Sequence, residues 1–276
     1  MTRRGDIHPA ALLTQRDRAI LHRLAEHEPL TTSELRLLFF SGARTCRARL
    51  KLLTDAELLK RVYPAGNSRG GRSEPLYFLS PQARSLLEAP ARRAPALSIP
   101  DLEHRRAVSR FFLALVERSL SRDDEGLYSW LGERSAQAAL GTVRPDGYGR
   151  YLLPDGELTF YLELDRATEP TKRVADKLAA YQRALANDPG IRLCNIVLVL
   201  PGKRRLGSLA HTVPAGPPWT WATTDRKHYH LLPIGEQPDV RPLKQLPIRA
   251  RDPGHRLEEC LGRCWQRATT ATREAA

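Results

Sequence analysis

Residues 143–182 read VRPDGYGRYLLPDGELTFYLELDRATEPTKRVADKLAAYQ. Two strand-like runs flank Asp155-Gly156, a dipeptide that marks a tight turn between antiparallel strands. The second run alternates, with Leu158, Phe160, Leu162 and Leu164 on one side and Thr159, Tyr161, Glu163 and Asp165 on the other. A hairpin folded about that turn sets Leu153 against Leu158, Tyr151 against Phe160, Tyr148 against Glu163, and Asp146 against Asp165. The period of two then gathers Asp146, Glu163 and Asp165 on one face and leaves the aliphatic residues on the other. Like charges facing each other on a sheet repel, and a divalent cation relieves the repulsion; carboxylate oxygens suit Mg²⁺ or Mn²⁺. The same pattern also reads as a half-exposed hairpin whose acids and bases form solvated pairs.

After Glu169-Pro170 the spacing predicts a helix over 171–187, with Val174, Leu178, Tyr181 and Leu185 as its apolar stripe. Lys172, Arg173 and Lys177 fall in its first turns, near the end of the second strand. Upstream, 101–119 predicts another helix, with Leu102, Val108, Phe111, Phe112 and Leu115 inward and Glu103 and His104 near its start. Residues 128–138 read as a strand carrying Trp130 and Glu133. Residues 194–200 form an unbroken apolar run that suits a strand buried on both faces, followed by the basic loop Pro201–Arg205. Short strands are expected at 219–223 and 228–232. His228 and His230 would share a face there, but without a third ligand they make no zinc site.

The first third of the chain has a different rhythm. A basic arm (1–13) precedes three helices: 14–27 capped by Thr14, 33–40, and 43–54. Ala19, Ile20, Leu21 and Leu24 are the inward residues of the first, and Cys46, Leu50 and Leu53 those of the third. The third helix offers Arg44, Arg47, Arg49 and Lys51 on its other side. Strands at 58–63 and 76–79 follow, joined by a glycine-rich loop with Arg69 and Arg72. This order resembles a winged helix-turn-helix domain, in which the third helix enters the DNA major groove and the loop is the wing. The domain is expected over 14–88, with an Ala/Pro/Arg-rich linker at 89–100, a second domain over 101–240, and a basic tail at 241–276 that ends in a helix.

The chain has 276 residues with a formal charge of +13, which favours a polyanionic partner, nucleic acid before membrane surface. No apolar run reaches the length of a membrane span and no signal-peptide core follows Met1, so a cytoplasmic location is expected. Four scattered cysteines make no disulfide framework, and Cys260 and Cys264, four apart near His255, read as packed helix residues.

The sequence RPD, a hairpin, FYLELD, and a helix bearing K-x-x-x-Y resemble the core of the PD-(D/E)xK nuclease superfamily. More narrowly, they are similar to the replication-relaxation family of mobile-element proteins, which includes MobC-type plasmid relaxases. The resemblance implies an α/β (α+β) chain: a winged helix followed by a restriction-endonuclease-like domain. It also implies Asp146 and Glu163 as metal ligands for Mg²⁺ or Mn²⁺, with Asp165 beside them. The motif lysine is replaced by Asp165, so the catalytic cation is expected on the following helix, at Lys177 or Lys172. Function is then expected to be binding, and metal-dependent nicking, of double-stranded origin DNA of a plasmid or other mobile element. The competing expectation is a non-catalytic winged-helix regulator with a degenerate nuclease-like domain. Either reading allows a homodimer.

Overall fold

A computed structural model describes residues 13–64, 73–87, 98–122, 124–138, 140–153, 156–188, 194–214, 216–224 and 232–233. The chain divides into two compact units, Met1–Ser109 with Arg256–Ala276, and Arg110–His255. The expected wing arginines Arg69 and Arg72, the strand at His228 and His230, both C-terminal cysteines and the tail helix lie outside the described residues, as does most of the N-terminal arm. Among the described residues, no helix is long and apolar enough to cross a membrane.

In the first unit, helix α1 (Gln15–His27) begins at a capping box. Thr14 accepts from the Asp17 amide, and the Asp17 carboxylate accepts from the Thr14 amide at 2.8 Å. Pro29 lacks the amide to continue the helix, and Leu30–Thr31 forms the short strand β1 instead. Helix α2 (Thr32–Phe39) starts with a second box, Thr31 with Glu34. It begins one residue before the expected Ser33 because Thr31 is the cap, while Ser33 donates from its amide and hydroxyl to Glu74. Helix α3 (Ala43–Asp55) and strands β2 (Leu59–Val62) and β3 (Leu76–Leu79) follow, and helix α4 (Pro81–Leu86) is capped by Ser80. The three strands form an antiparallel sheet in the order β1-β3-β2. Strand β1, two residues long, was not anticipated; such a strand has no periodicity of its own.

Two buried ion pairs fix this unit. Glu28 accepts from the Leu79 amide at 3.0 Å and pairs with Arg84, tying the end of α1 to β3 and α4. Asp17, fully buried, pairs with Arg49 through two hydrogen bonds and ties α1 to α3. Ile20, Leu21, Leu24, Leu35, Cys46 and Leu50 fill the space between the helices with essentially no exposure, whereas Ala19 is only partly buried.

The second unit is built on a six-stranded sheet, β4 (Gly126–Gly132), β5 (Gly147–Leu153), β6 (Gly156–Leu164), β7 (Cys194–Val199), β8 (Trp219–Thr223) and β9 (Leu232–Pro233), in sequential order. Strand β5 is antiparallel to both β4 and β6; β6, β7 and β8 are parallel, and β9 is antiparallel to β8. Helix α5 (Ile99–Ser119) precedes β4, α6 (Glu133–Ala138) follows it, α7 (Thr171–Leu185) links β6 to β7, and α8 (Lys203–Ala210) follows β7. The strand expected over 128–138 therefore ends at Gly132, and Glu133 opens a helix.

The sheet is covered on both faces. Phe111 and Phe112 of α5 pack on Phe160, and Phe112 stacks on Trp130 with ring centroids 5.1 Å apart. Opposite, Leu178, Tyr181 and Leu185 of α7 close over Tyr161, Ile196 and Leu198. Every residue of β7 is buried, as its unbroken apolar run requires.

The hairpin register differs from the expected one by two residues: Leu153 pairs with Gly156, Tyr151 with Leu158, and Tyr148 with Tyr161. The reason is steric. Gly149 pairs with Phe160, and a Cβ on Gly149 would lie 2.3 Å from the Phe160 ring. The expected register would have set the Tyr151 side chain there. A shift of two preserves which face each residue takes, so Glu163 stays with Tyr161, on the α7 side. That face is a buried helix–sheet interface at Glu163, not the half-exposed surface the pattern allowed.

Candidate functional site

The corrected register places Asp146, just before β5, beside Glu163 near the end of β6. The Asp146 amide donates to the Leu162 carbonyl at 3.0 Å, and its carboxylate accepts from the Leu164 amide at 2.7 Å. A side chain thus replaces the next rung of the ladder and aims the carboxyl group along the end of β6.

Glu163 is 9 % exposed and held from two sides by α7. Lys177 Nζ donates to Oε2 at 2.5 Å and the Tyr181 hydroxyl donates to Oε1 at 2.5 Å. The two donors sit one helical turn apart, so one helix face presents both. Lys177 keeps 38 % of its side chain exposed, with its stem along the helix and its ammonium turned inward. Lys172 points elsewhere and pairs with Asp176 at 3.0 Å. Tyr181 is fully buried and packs on Tyr161, which packs on Tyr148, with ring centroids 5.4 and 5.1 Å apart.

Burial and then the Asp146 charge push the Glu163 carboxyl up to about 7, against the pull of Lys177 and Tyr181. Burial and the neighbouring Glu163 also hold the Tyr181 phenol well above its usual range, so it remains a donor. Between its unfolded value of 4.5 and its folded value of about 7, Glu163 binds more protons folded than unfolded. Stability from this group is therefore full below the lower value and falls as pH rises through the upper one. In EDTA, the melting temperature of the wild type should fall relative to that of Glu163→Gln between about pH 5 and about pH 8. Parallel melting curves would show that Glu163 is not the titrating group.

Asp165 does not join this pair. β6 ends at Leu164, alternation stops there, and the Asp165 carboxylate turns to Arg205, with Nε to Oδ2 at 2.5 Å. It also accepts from the Ala167 amide at 2.7 Å, while Arg205 donates to the Glu169 carbonyl at 2.7 Å. Among the described residues no cluster of three or more metal-ligating side chains forms, so the expected third ligand is absent from the pair. The Asp146 and Glu163 carboxylates are hard oxygen donors, and the Asp146 charge acts on Glu163; a pair of this chemistry would suit Mg²⁺ or Mn²⁺. Arg205 was not anticipated as a partner of Asp165, since they lie forty residues apart and meet only through the parallel pairing of β6 and β7.

In the first unit the four basic residues of α3 separate. Arg44, Arg47 and Lys51 are exposed on one side of the helix, Lys51 pairing with Asp55 at 2.5 Å. Arg49 turns inward to Asp17. Burial opposes ionisation of Asp17, but hydrogen bonds from Arg49 and Thr14 outweigh it and leave its carboxyl below the usual value.

No curated protein and no solved structure matches the chain. A protein-family model described as replication-relaxation matches residues 21–191, which takes in α3, Asp146, Glu163, Lys177 and Tyr181. With well over half its length matched, the chain belongs to the replication-relaxation family.

Proposed function

We propose that the chain is a metal-dependent DNA-nicking protein of a plasmid or other mobile element, which docks on origin DNA through a winged helix in its first unit and cuts one strand with a PD-(D/E)xK-like site in its second. The observation that carries this reading is the Asp146–Glu163 pair with Lys177 Nζ 2.5 Å from Glu163. A lysine from α7 supplies the cation that the motif normally carries two residues after the glutamate, where this chain has Asp165. The element order of the second unit, in which α5 precedes an antiparallel β4-β5-β6 sheet with α6 between its first two strands and α7 then leads into the parallel β7, also supports the nuclease-like assignment.

On this reading Asp146 and Glu163 hold the ion, which when bound supplies positive charge to offset the charge developing on a phosphate. Tyr181 fixes the Glu163 carboxylate by donating to Oε1, which leaves Oε2 facing the Lys177 ammonium. Lys177 stabilises negative charge at that position and orients water by hydrogen bonding. Tyr161 and Tyr181, both buried, pack together on the face of β6 that carries Glu163 and limit its contact with water there. Nicking of supercoiled plasmid carrying the element's origin, present with Mg²⁺ and absent with EDTA, tests the reading.

The same reading makes α3 the recognition helix. Replacing both Arg44 and Arg47 by alanine is expected to lower the slope of log affinity against log salt by about 2, since each phosphate contact contributes about 0.9. Arg49→Ala should instead leave Asp17 buried without its partner and cost about 3 kcal/mol of stability. A gel shift in which the double variant binds as tightly as wild type would remove α3 from the interface.

The alternative, a regulator with a non-catalytic second unit, has one observation in its favour: both Glu163 oxygens already accept protein hydrogen bonds. Origin binding without nicking in either Mg²⁺ or Mn²⁺ selects it.

A further inference from the structure

Three segments of the second unit meet at the end of β6 where Asp146 and Glu163 lie. Asp146 is bonded to Leu162 and Leu164, the Asp165 amide donates to Val199 at the end of β7, and Arg205 at the start of α8 is bonded to Asp165. Each segment carries exposed basic side chains next to those anchor points: Arg144, Arg166, and Lys203 with Arg204. Each of these is at most two residues from its anchor, which limits the Cα separation to roughly 8 Å. Among the described residues, Arg144, Lys203 and Arg204 enter no ion pair. Of the acids on these segments and on α7, Asp165 is engaged by Arg205, Glu163 by Lys177, Glu169 by Arg173 and Asp176 by Lys172, while the Asp146 carboxylate accepts from the Leu164 amide.

The Arg205–Asp165 bond gives this arrangement its stiffness. Both side chains are largely buried, at 14 and 8 % exposure, and Arg205 also reaches the Glu169 carbonyl. That bond joins the segment after β6 to the first turn of α8, so Lys203 and Arg204 are held beside the end of β6. Asp165 is thereby accounted for as a strut in place of the motif lysine.

We infer that Arg144, Lys203 and Arg204 form a basic rim beside the Glu163 site that holds the phosphate backbone of DNA, a contact surface separate from α3. The occupant is nucleic acid because the rim consists of exposed cations that enter no ion pair among the described residues, in a chain of formal charge +13, which matches a polyanion. The inference names the DNA-holding surface of the site proposed above and rests on that reading for its position, but its test reads binding alone.

The experiment is the salt dependence of affinity of the full chain for a fluorescein-labelled mixed-sequence duplex, followed by anisotropy. Lys203→Ala/Arg204→Ala should lower the slope of log affinity against log salt by about 2, and adding Arg144→Ala should lower it by about 1 more. The charge-matched control Arg122→Ala/Arg183→Ala, whose residues follow α5 and lie near the end of α7, should leave the slope unchanged. Equal melting temperatures show that the variants fold. An unchanged slope in the rim variants, or an equal fall in the control, overturns the rim. A wild type that never nicks while the rim variants lose slope removes the nuclease reading and leaves the rim standing. Nicking by wild type together with an unaffected slope in the rim variants removes the rim alone.

Discussion

Lys177→Ala and Glu163→Ala are each expected to abolish Mg²⁺-dependent nicking while the affinity of the chain for duplex DNA persists. Glu163 is the hub of the site, since Lys177, Tyr181 and the Asp146 charge all act on its carboxyl group. Removing it takes away one of the two carboxylates proposed to hold the ion and leaves the half-buried Lys177 ammonium and the buried Tyr181 phenol without their acceptor. Removing Lys177 leaves the carboxylates but not the cation beside them. Loss of a positioned charge-stabilising group costs about a hundredfold to a thousandfold in rate. Lys177→Arg should recover little, because a guanidinium is planar and wider than an ammonium and cannot take the same 2.5 Å approach from that helix position. Undiminished nicking by Lys177→Ala would mean that the catalytic cation comes from elsewhere. Both variants leave the exposed residues of α3 and the basic side chains beside the site intact, and melting temperatures separate a loss of DNA binding through unfolding from a local effect.

The second large effect concerns Asp165. Restoring the motif by Asp165→Lys is expected to destabilise the chain by about 3–5 kcal/mol and to add no activity. The side chain at this position is 8 % exposed and faces the Arg205 guanidinium, so the substitution sets two cations together in a largely buried place. It also removes the acceptor of the Ala167 amide, and Ala167 sits at a φ of 55°, a conformation that non-glycine residues adopt at a cost. Asp165→Asn keeps an acceptor for the amide and should cost less. Urea unfolding of the three proteins checks the order. A lysine variant as stable as wild type would show that the Arg205 strut contributes nothing.

Much of the first unit was legible because its signals are local. Thr14 and Thr31 each stand three residues before an acid, and those spacings set where α1 and α2 begin. Grouping Arg49 with the other basic residues of α3 was an error of reading, since 3.6 residues per turn set it beside Leu53 and Cys46 and away from Arg44, Arg47 and Lys51; what the helix alone could not give is its partner, Asp17 on α1. In the second unit the alternation of β6 assigned Glu163 to the correct face, but not what covers that face. A strand side with Thr, Tyr, Glu and Asp looks solvated until α7 lays Leu178 and Tyr181 across it. The hairpin register slipped by two because the reading placed the turn on Asp155-Gly156, whereas the decisive contact is a ring lying over Gly149, which has no signature along the chain. The same slip brought Asp165 opposite Asp146 on paper, while the actual register puts Asp146 beside Glu163 and frees Asp165 for Arg205. The resemblance pointed to a lysine on α7, Lys177 or Lys172, and the position of Lys177 beside the apolar stripe favoured it; Lys177 lies 2.5 Å from Glu163, whereas Lys172 pairs with Asp176.

Asp146 and Glu163 are proposed to hold one divalent ion between them. Calorimetric titration of the full chain with Mn²⁺ measures this without reference to any DNA sequence. The account predicts one ion per chain, a melting temperature that rises with Mn²⁺ in proportion to the logarithm of its concentration above the dissociation constant, and loss of both in Asp146→Asn and Glu163→Gln. Absence of binding at millimolar Mn²⁺, or binding that survives both substitutions, would contradict it.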